Sequence, residues 1–452
     1  MGVRINTVGI AVLAGLAWIL LFAGAAPTAM FAAFVSDFTS GYRKLQIPGI
    51  AYDYREYFSA VPSAESLLQQ DNFFRKQNEQ LLAFDRTSLH KKELIQYDHL
   101  RYEIDFNRER TRLENAWVAD GRMIPARGLY GLPNHGDWYL HFIRKYTGLS
   151  IRPEDIMAMG LREVARVQQE IRSIRLKSGM SDSSAFYDQL NSEAFVLRDK
   201  AAIGRAFARA DSIIRRHLHL FIGSINIPPV YAMEWAGADA DTPPGMYLNR
   251  QHNAYGKDAF LYNFYSQRYN SRAVDWLYMH EAIPGHHLQA TLRTGDSADE
   301  LQSLFSYPGN FEGWACYVEY HGKELGMYAD GYSQLGHCEW DLVRSARLVL
   351  DAGIHYYGWS YKRALDYWQK NIPGQDGIAD REIMRVTRWP AQALSYKAGA
   401  ECLMQLRRQM VARYGGQFDQ RIFHRAYLSF GMRPLALIRQ HLETIYRESV
   451  QP

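Results

Sequence analysis

Residues 280–289 read HEAIPGHHLQ, and this stretch sets the interpretation of the whole 452-residue chain. A neutral imidazole beside a carboxylate, with two more imidazoles six and seven residues further on, can supply ligands for a divalent metal and a base for water. These are three of the chain's 15 histidines, and they follow the largely apolar run AVDWLYM. The alternative is a half-exposed helix with ordinary polar histidines, but the clustering favours a metal-dependent hydrolase.

The spacing of these histidines differs from the zinc-protease pattern His-Glu-x-x-His, in which two histidines four residues apart face one side of a helix. Here Pro284-Gly285 occupies the critical position. Proline removes a backbone donor and glycine loosens the chain, so we expect the helix to open there and to bring His286 beside His280. On an undistorted helix His287 would be in line with His280 but about 10 Å further along the axis. We predict His280 and His286 as ligands and His287 as a supporting residue, with the exchanged assignment left open.

A catalytic metal site needs a third protein ligand and leaves the fourth position to water. In zinc proteases of the glutamate type that ligand comes from a later helix, and the next helical candidate is FEGWACYVEYHGKEL, residues 311–325. Glu312 and Glu319 share one face of it, with Cys316 between them, and either carboxylate could reach the metal. We predict Glu312 as the ligand, against the alternative of a first-turn acid that interacts only with the helix dipole. Glu319 fits better as the group that holds a ligand histidine's other nitrogen.

Four stretches stand out in the order HEAIPGHHLQ, FEGWACYVE, RLVLDAGIHYYGWS and WPAQALSYKAG. They resemble the successive signature blocks of the bacterial domain of unknown function 885 family, whose members are predicted zincin-type metallopeptidases. The segments PNHGDWYLHFIRKYTG and PPGMYLN extend the resemblance upstream. It implies a mostly helical zincin, similar to the larger helical peptidases that enclose a long cleft. It also implies that His280, Glu281, His286 and Glu312 lie at the metal.

Hydrolysis of an amide also needs donors that face the developing oxyanion. His355 and Tyr396 are the candidates, chiefly because of the resemblance, and Arg385 is available for a substrate carboxylate. Asp351, four residues before His355, could orient its imidazole. The chain departs from the family pattern at Ala391, where a glycine is expected, and this puts the backbone conformation near Tyr396 in question.

Most of the chain reads as helices. Apolar residues at three- and four-residue spacing, opened by Pro153-Glu154-Asp155, predict a helix over 153–175. Similar patterns fill the segments 64–115, 185–222, 335–356 and 391–414. Residues 224–260, rich in proline and glycine, predict a short sheet or loop region that could bind extended substrate near the metal helix or form only a surface excursion. The expected fold is mainly α, a large helical zincin-like metallopeptidase with a small β or loop segment.

The composition is that of a folded enzyme. With 47% hydrophobic and 22% charged residues, the chain can bury a large core. We expect residues 26–452 to form a single helical domain, with two lobes around a cleft as the alternative. The 52 basic and 48 acidic residues are too balanced to suggest a nucleic-acid binder. Three cysteines are too few for a disulfide framework.

The N-terminus indicates an exported protein, periplasmic or secreted. An apolar run from Val8 to Ala26 follows Arg4, and Ala23-Gly24-Ala25 fits the A-x-A cleavage pattern, so residues 1–25 are a predicted signal peptide. The run is also just long enough to remain as a membrane anchor, and contact with a membrane is expected only in that case. No cysteine directly follows the cleavage pattern, which disfavours a lipoprotein anchor.

The sequence thus predicts a zinc metallopeptidase, with one zinc ion per chain as cofactor and a peptide as substrate. Glu281 would take the proton of the attacking water and deliver it to the leaving amine. The alternatives are a metal-dependent amidase that acts on non-peptide bonds and a catalytically silent zincin-like protein that binds peptides. A binding protein has no need of Glu281, which argues against the silent form.

Overall fold

The computed structural model describes residues 27–49, 53–121, 123–293 and 300–450. They fall into two compact units, one drawn from Met1–Ile124 and Asp299–Ser306 and the other from Pro125–Ala298 and Tyr307–Pro452. The predicted signal peptide or anchor lies outside the described residues. Within them, we find no helix with the length and apolarity that crossing a bilayer requires.

The first unit is a small set of helices around an aromatic core. Its helices are α1 (Pro27–Lys44), α2 (Tyr54–Ser59), α3 (Ala64–Leu82) and α4 (Lys91–Ala119). Side-chain oxygens of Asp53 and Ser63 accept backbone N–H bonds at the starts of α2 and α3, which satisfies donors that a helix start leaves open. Phe31, Phe34 and Phe38 are fully buried and pack in one cluster with residues of α3 and α4.

The second unit is larger and also mainly helical. Its helices are α5 (His135–Thr147), α6 (Pro153–Lys177), α7 (Ser183–Leu190), α8 (Lys200–Ile222), α9 (Ala273–Glu281), α10 (His286–Arg293), α11 (Pro308–Glu319), α12 (Gly331–His355), α13 (Tyr361–Asn371), α14 (Ala379–Arg388), α15 (Leu394–Tyr414), α16 (Gln420–Ser429) and α17 (Leu435–Val450). The buried α12 packs along α6, and α11 packs along α15. These two pairs form the frame on which the candidate site is built.

Glycine lets α11 and α15 approach closely. A Cβ on Gly313 would lie 2.7 Å from the Cα of Gly399, and a Cβ on Gly399 would lie 2.3 Å from the carbonyl oxygen of Gly309. Real side chains do not fit at such distances, so the helix that carries Glu312 rests directly on the helix that carries Tyr396.

Two short sheets interrupt the helices of the second unit. β1 (Val196–Leu197) pairs antiparallel with β5 (Tyr269–Asn270). β2 (Tyr231–Glu234) runs parallel to β4 (Ala259–Tyr262), which pairs antiparallel with β3 (Gly245–Leu248), so the strand order is β2-β4-β3. Of the two alternatives predicted for 224–260, a short sheet or a loop region, the structure has the short sheet, although β4 extends to Tyr262.

The mainly helical class predicted from the sequence is confirmed, and the helix predicted over 153–175 is α6. Elsewhere the structure divides the predicted helical segments into shorter elements. Residues 64–115 hold two helices, and 185–222 hold α7 and α8 with β1 between them, because Asp199 caps a new helix start there. The helix that carries Glu312 begins at Pro308 and ends at Glu319, so it is shorter than the stretch 311–325 suggests.

Candidate metal centre

The helix carrying His280 is interrupted where the sequence predicts it. α9 ends at Glu281, and Ala282 leaves helical geometry with φ −106° and ψ −106°. The chain then turns through Pro284-Gly285 and begins α10 at His286. A Cβ on Gly285 would lie 1.9 Å from the carbonyl oxygen of His280, so only glycine permits this turn. The turn brings the ring of His286 to 4.8 Å from that of His280, measured between centroids.

Glu312 completes a group of three potential ligands. Its Oε2 lies 3.5 Å from Nε2 of His280 and 3.5 Å from Nε2 of His286. All three ligand atoms lie within 4.8 Å of one another. Both imidazoles are buried, and the Glu312 side chain is only 16% exposed. The three residues predicted as ligands are thus brought together by three different helices.

This group fits a metal better than it fits a hydrogen-bonded cluster. Oε2 of Glu312 is buried and has no hydrogen-bond partner among the described residues. Metal–ligand bonds of about 2.0–2.2 Å at tetrahedral angles separate neighbouring ligand atoms by about 3.3–3.6 Å, which matches the 3.5 Å separations here. Two histidines and a glutamate are also a known donor set for catalytic zinc.

The electrostatics of the site favour a positive charge at its centre. Burial alone would lower the pKa of His280, but Cys316, Glu312 and Glu319 around the imidazole outweigh it and raise this pKa well above its usual value. Burial alone would raise the pKa of Glu312, yet the adjacent imidazoles hold it well below its usual range. A cation at this position is therefore stabilised, whether it is a proton or a metal ion.

Glu319 holds the other nitrogen of His280, as predicted. Its Oε1 lies 2.8 Å from Nδ1 of His280, and its Oε2 lies 2.9 Å from Nδ1 of His337. Arg344 donates to both oxygens, at 2.7 and 2.9 Å. Burial opposes ionisation of Glu319, but Arg344 and the two imidazoles lower its pKa to about 2. Glu319 is thus a fixed carboxylate that directs Nε2 of His280 toward Glu312.

The alternative group His280, Cys316 and Glu319 also has suitable spacing for a metal. However, both oxygens of Glu319 already accept hydrogen bonds from Arg344 and His337. Glu312 offers an oxygen without such partners, so we favour the group that contains it.

His287 has a different role from His286. Its Nε2 lies 2.9 Å from the carbonyl oxygen of Pro228, and its Nδ1 lies 3.3 Å from the hydroxyl of Tyr247. Both ring nitrogens are therefore engaged away from His280. His287 attaches α10 to the segment before β2 and to β3.

Glu281 faces the same cavity as the three potential ligands. It is 5% exposed and accepts the backbone N–H of Tyr247. Burial raises the pKa of its carboxyl group, and the imidazoles of His280 and His286 oppose that rise. A buried carboxylate with a raised pKa beside a metal site is suited to exchange protons with a bound water.

A cavity of about 640 Å³ opens beside these residues. Its wall includes seven aromatic side chains: Trp235, Tyr247, Trp276, Phe311, Trp340, Trp389 and Tyr396. The predicted residues Tyr396 and Arg385 also line it. The Tyr396 hydroxyl accepts a hydrogen bond from Nη2 of Arg385 at 3.1 Å, and no described residue accepts its own proton. That proton can therefore be donated to a group in the cavity.

His355 does not belong to this site, and the catalytic role expected for it is not supported. The imidazole is fully buried, its Nδ1 accepts the backbone N–H of Leu129 at 3.1 Å, and its Nε2 donates to the carbonyl of Val386 at 2.9 Å. Burial lowers its pKa to about 4. Asp351 does not orient this ring either, because it accepts the hydroxyl of Tyr139 and the backbone N–H of Ala391.

Two cavity residues on α12, Arg344 and Arg347, were not predicted from the sequence. Their signal is a set of polar residues at three- and four-residue spacing in a largely apolar helix: His337, Asp341, Arg344, Arg347 and Asp351. Such a stripe in a fully buried helix indicates a polar network against neighbouring helices. Nothing in the spacing shows that part of the network opens into a cavity.

The chain is similar to one protein family and to solved bacterial structures. Residues 114–442 match the family described as bacterial protein of unknown function, DUF885. A crystal structure of a candidate lipoprotein from Colwellia psychrerythraea is similar with a TM-score of 0.64 and 24% identity, over 87% of this chain and 69% of that one. A candidate lipoprotein of unknown function from Shewanella oneidensis gives 0.69 and 17%, over 91% and 99%. At these identities the likeness extends to the fold alone. The comparison with curated proteins gives no match.

Proposed function

The chain belongs to the DUF885 family of bacterial proteins, and from that premise and the geometry of the site we propose that it is a zinc-dependent hydrolase, a zincin-type metallopeptidase. One observation carries the proposal. A buried carboxylate oxygen of Glu312 has no hydrogen-bond partner among the described residues, yet it lies 3.5 Å from the Nε2 atoms of two histidines. This is the spacing that a tetrahedral metal imposes on its ligands.

The roles of the residues follow from their positions. His280, His286 and Glu312 would hold one zinc ion per chain. Zinc in such a site supplies the Lewis acidity that makes water a nucleophile near neutral pH. Glu281 takes the proton from the attacking water and later delivers it to the leaving amine nitrogen. The Tyr396 hydroxyl donates a hydrogen bond to the oxygen that gains charge as the carbonyl is attacked.

A peptide substrate is supported by β3. In the described part of the chain this strand pairs only with β4, so its other edge carries no strand and can accept an extended backbone beside the Tyr247 N–H, which Glu281 accepts. Gly245, Met246 and Tyr247 of β3 line the same cavity as Glu281. An extended peptide that adds to this edge would lie beside the candidate metal site.

We propose that the protein acts outside the cytoplasm. The apolar N-terminal run with its Ala23-Gly24-Ala25 cleavage pattern is the main support. The structural relatives from Colwellia psychrerythraea and Shewanella oneidensis are candidate lipoproteins, which is compatible with export. A retained anchor in place of a cleaved signal peptide remains the alternative.

Substitutions of Glu281, His286 and His287 test the assigned roles. Glu281→Gln should keep its zinc and lose turnover by about 10²–10⁴-fold, because Gln cannot accept the proton. His286→Ala should lose both zinc and turnover, because a ligand is removed. His287→Ala is the matched control and should keep its zinc. Metal analysis and peptide hydrolysis are measured on all three. Loss of zinc from His287→Ala but not from His286→Ala would contradict the ligand assignment.

A further inference from the structure

On the side of the cavity formed by α12 and α14, the arginine side chains outnumber the carboxylates that can neutralise them. Arg344, Arg347, Arg381 and Arg385 line this side, and Arg344 is paired with Glu319, which does not line the cavity; the other three remain. Glu382 is shared by two of them: it accepts Nε of Arg347 at 2.7 Å and Nη2 of Arg381 at 3.1 Å. Three guanidinium groups thus have one carboxylate between them.

Among the described residues that line this side, Arg385 is the cation without an ion pair. In the described part of the chain it forms no ion pair, and both of its hydrogen bonds go to neutral oxygens, Oε1 of Gln392 at 2.9 Å and the hydroxyl of Tyr396 at 3.1 Å. Both bonds use Nη2, so the donors on Nη1 and Nε have no partner among the described residues. A guanidinium carries five donors in a rigid planar fork, which matches the two oxygens of a carboxylate.

The position of Arg385 relative to the metal site limits the substrate. Arg385 and Glu312 line one cavity of about 640 Å³, which is in the size range of small-ligand pockets. The guanidinium stacks 5.5 Å from the centre of the Tyr396 ring, on the residue assigned to the oxyanion. A carboxylate bound by Arg385 would therefore lie close to the bond under attack.

We propose that Arg385 binds the C-terminal carboxylate of a peptide, so that the enzyme removes residues from the carboxyl end of its substrate. This inference rests on the proposed hydrolase function and adds the position of cleavage to it. A carboxylate could also come from an acidic side chain of the substrate. The aromatic wall formed by Phe311, Trp340 and Trp389 favours an apolar last residue, and its carboxylate is then the chain terminus.

Three synthetic peptides of identical sequence up to the last residue test the proposal. One ends in leucine with a free carboxylate, one in leucine amide, and one in glutamic acid α-amide with a free side-chain carboxylate. The zinc-loaded full-length protein should release the last residue of the leucine acid with a kcat/KM at least about 10- to 100-fold above that of either amide. Mass spectrometry of the products identifies the bond that is cleaved.

Substitution of Arg385 makes the test specific. Arg385→Gln should reduce the ratio of acid to amide hydrolysis to within a few-fold of one while its zinc content is unchanged, and Arg385→Lys should restore part of the ratio. Arg388→Gln is the control, because Arg388 is exposed on the same helix and the change removes the same charge. It should keep the full ratio.

Several results would overturn the inference. If the wild-type protein cleaves the leucine amide as well as the acid, or cuts only internal bonds, the terminal carboxylate is not recognised, although the hydrolase function stands. If the glutamate amide is cleaved as efficiently as the leucine acid, a carboxylate from either source suffices and the chain terminus is not selected. If zinc-loaded protein cleaves no peptide, the proposed function fails and this inference fails with it.

Discussion

Tyr396 is the residue that we propose as the hydrogen-bond donor to the oxyanion. Arg385 donates to the hydroxyl oxygen, and a hydroxyl that accepts such a bond is a stronger donor of its own proton. The ring is held among guanidinium groups, with Arg347 at 5.3 Å from its centre. A fixed ring and a polarised hydroxyl are the properties that an oxyanion donor requires.

We expect Tyr396→Phe to lower kcat by about 10²–10³, or roughly 3–4 kcal/mol, because one hydrogen bond to the transition state is lost while the ring remains. Zinc content and the unfolding temperature should be nearly unchanged. Steady-state kinetics and thermal unfolding are measured together. His355→Ala provides the contrast: it leaves a buried N–H of Leu129 and a buried carbonyl of Val386 unpaired, so it should lower stability and keep kcat within a few-fold. A normal kcat in Tyr396→Phe would leave carbonyl polarisation to the metal or to another residue.

In the turn that follows α14, the backbone adopts a conformation that is unfavourable for the residue at position 391. Ala391 has φ +61°, in the left-handed region where a side chain costs about 1–2 kcal/mol and glycine costs nothing. Its backbone N–H donates to both carboxylate oxygens of Asp351, at 3.1 Å each, which fixes the turn. The glycine expected from the family pattern at this position thus has a physical reason, and the backbone keeps the conformation without it.

We therefore expect Ala391→Gly to leave the free energy of unfolding unchanged or to raise it by up to about 1 kcal/mol, because relief of the φ strain offsets the loss of one buried methyl group. Ala364 is equally buried but lies within α13, so Ala364→Gly should cost about 2 kcal/mol. Urea unfolding of both variants gives the comparison. Equal destabilisation of the two would show that the strain at Ala391 is not released by glycine.

At the scale of the whole molecule, apolar periodicity and residue spacing predicted the structural features that are determined by residues close together in the sequence. The helical class and α6 follow from apolar repeats, and the break at Pro284-Gly285 follows from the chemistry of those two residues. The pairing of His286 with His280 is a consequence of that break, which is why it could be anticipated from one stretch of chain.

What could not be predicted depends on contacts between distant segments. The sequence around His355 is compatible with a catalytic role and with a structural role. Only the hydrogen bonds of its ring with the backbone of Leu129 and Val386 indicate the structural role. The exposure of Arg344 and Arg347 to a cavity depends in the same way on where α12 meets α14 and α15. Spacing along one helix indicates a polar face but not what that face meets.

The central claim is that His280, His286 and Glu312 form a metal site, and elemental analysis of the full-length protein purified without chelators tests it most directly. The geometry predicts about one zinc per chain in the wild-type protein and almost none in a folded Glu312→Ala variant, which lacks the third ligand. Folded wild-type protein that contains no transition metal and takes up none on dialysis against zinc would contradict the claim.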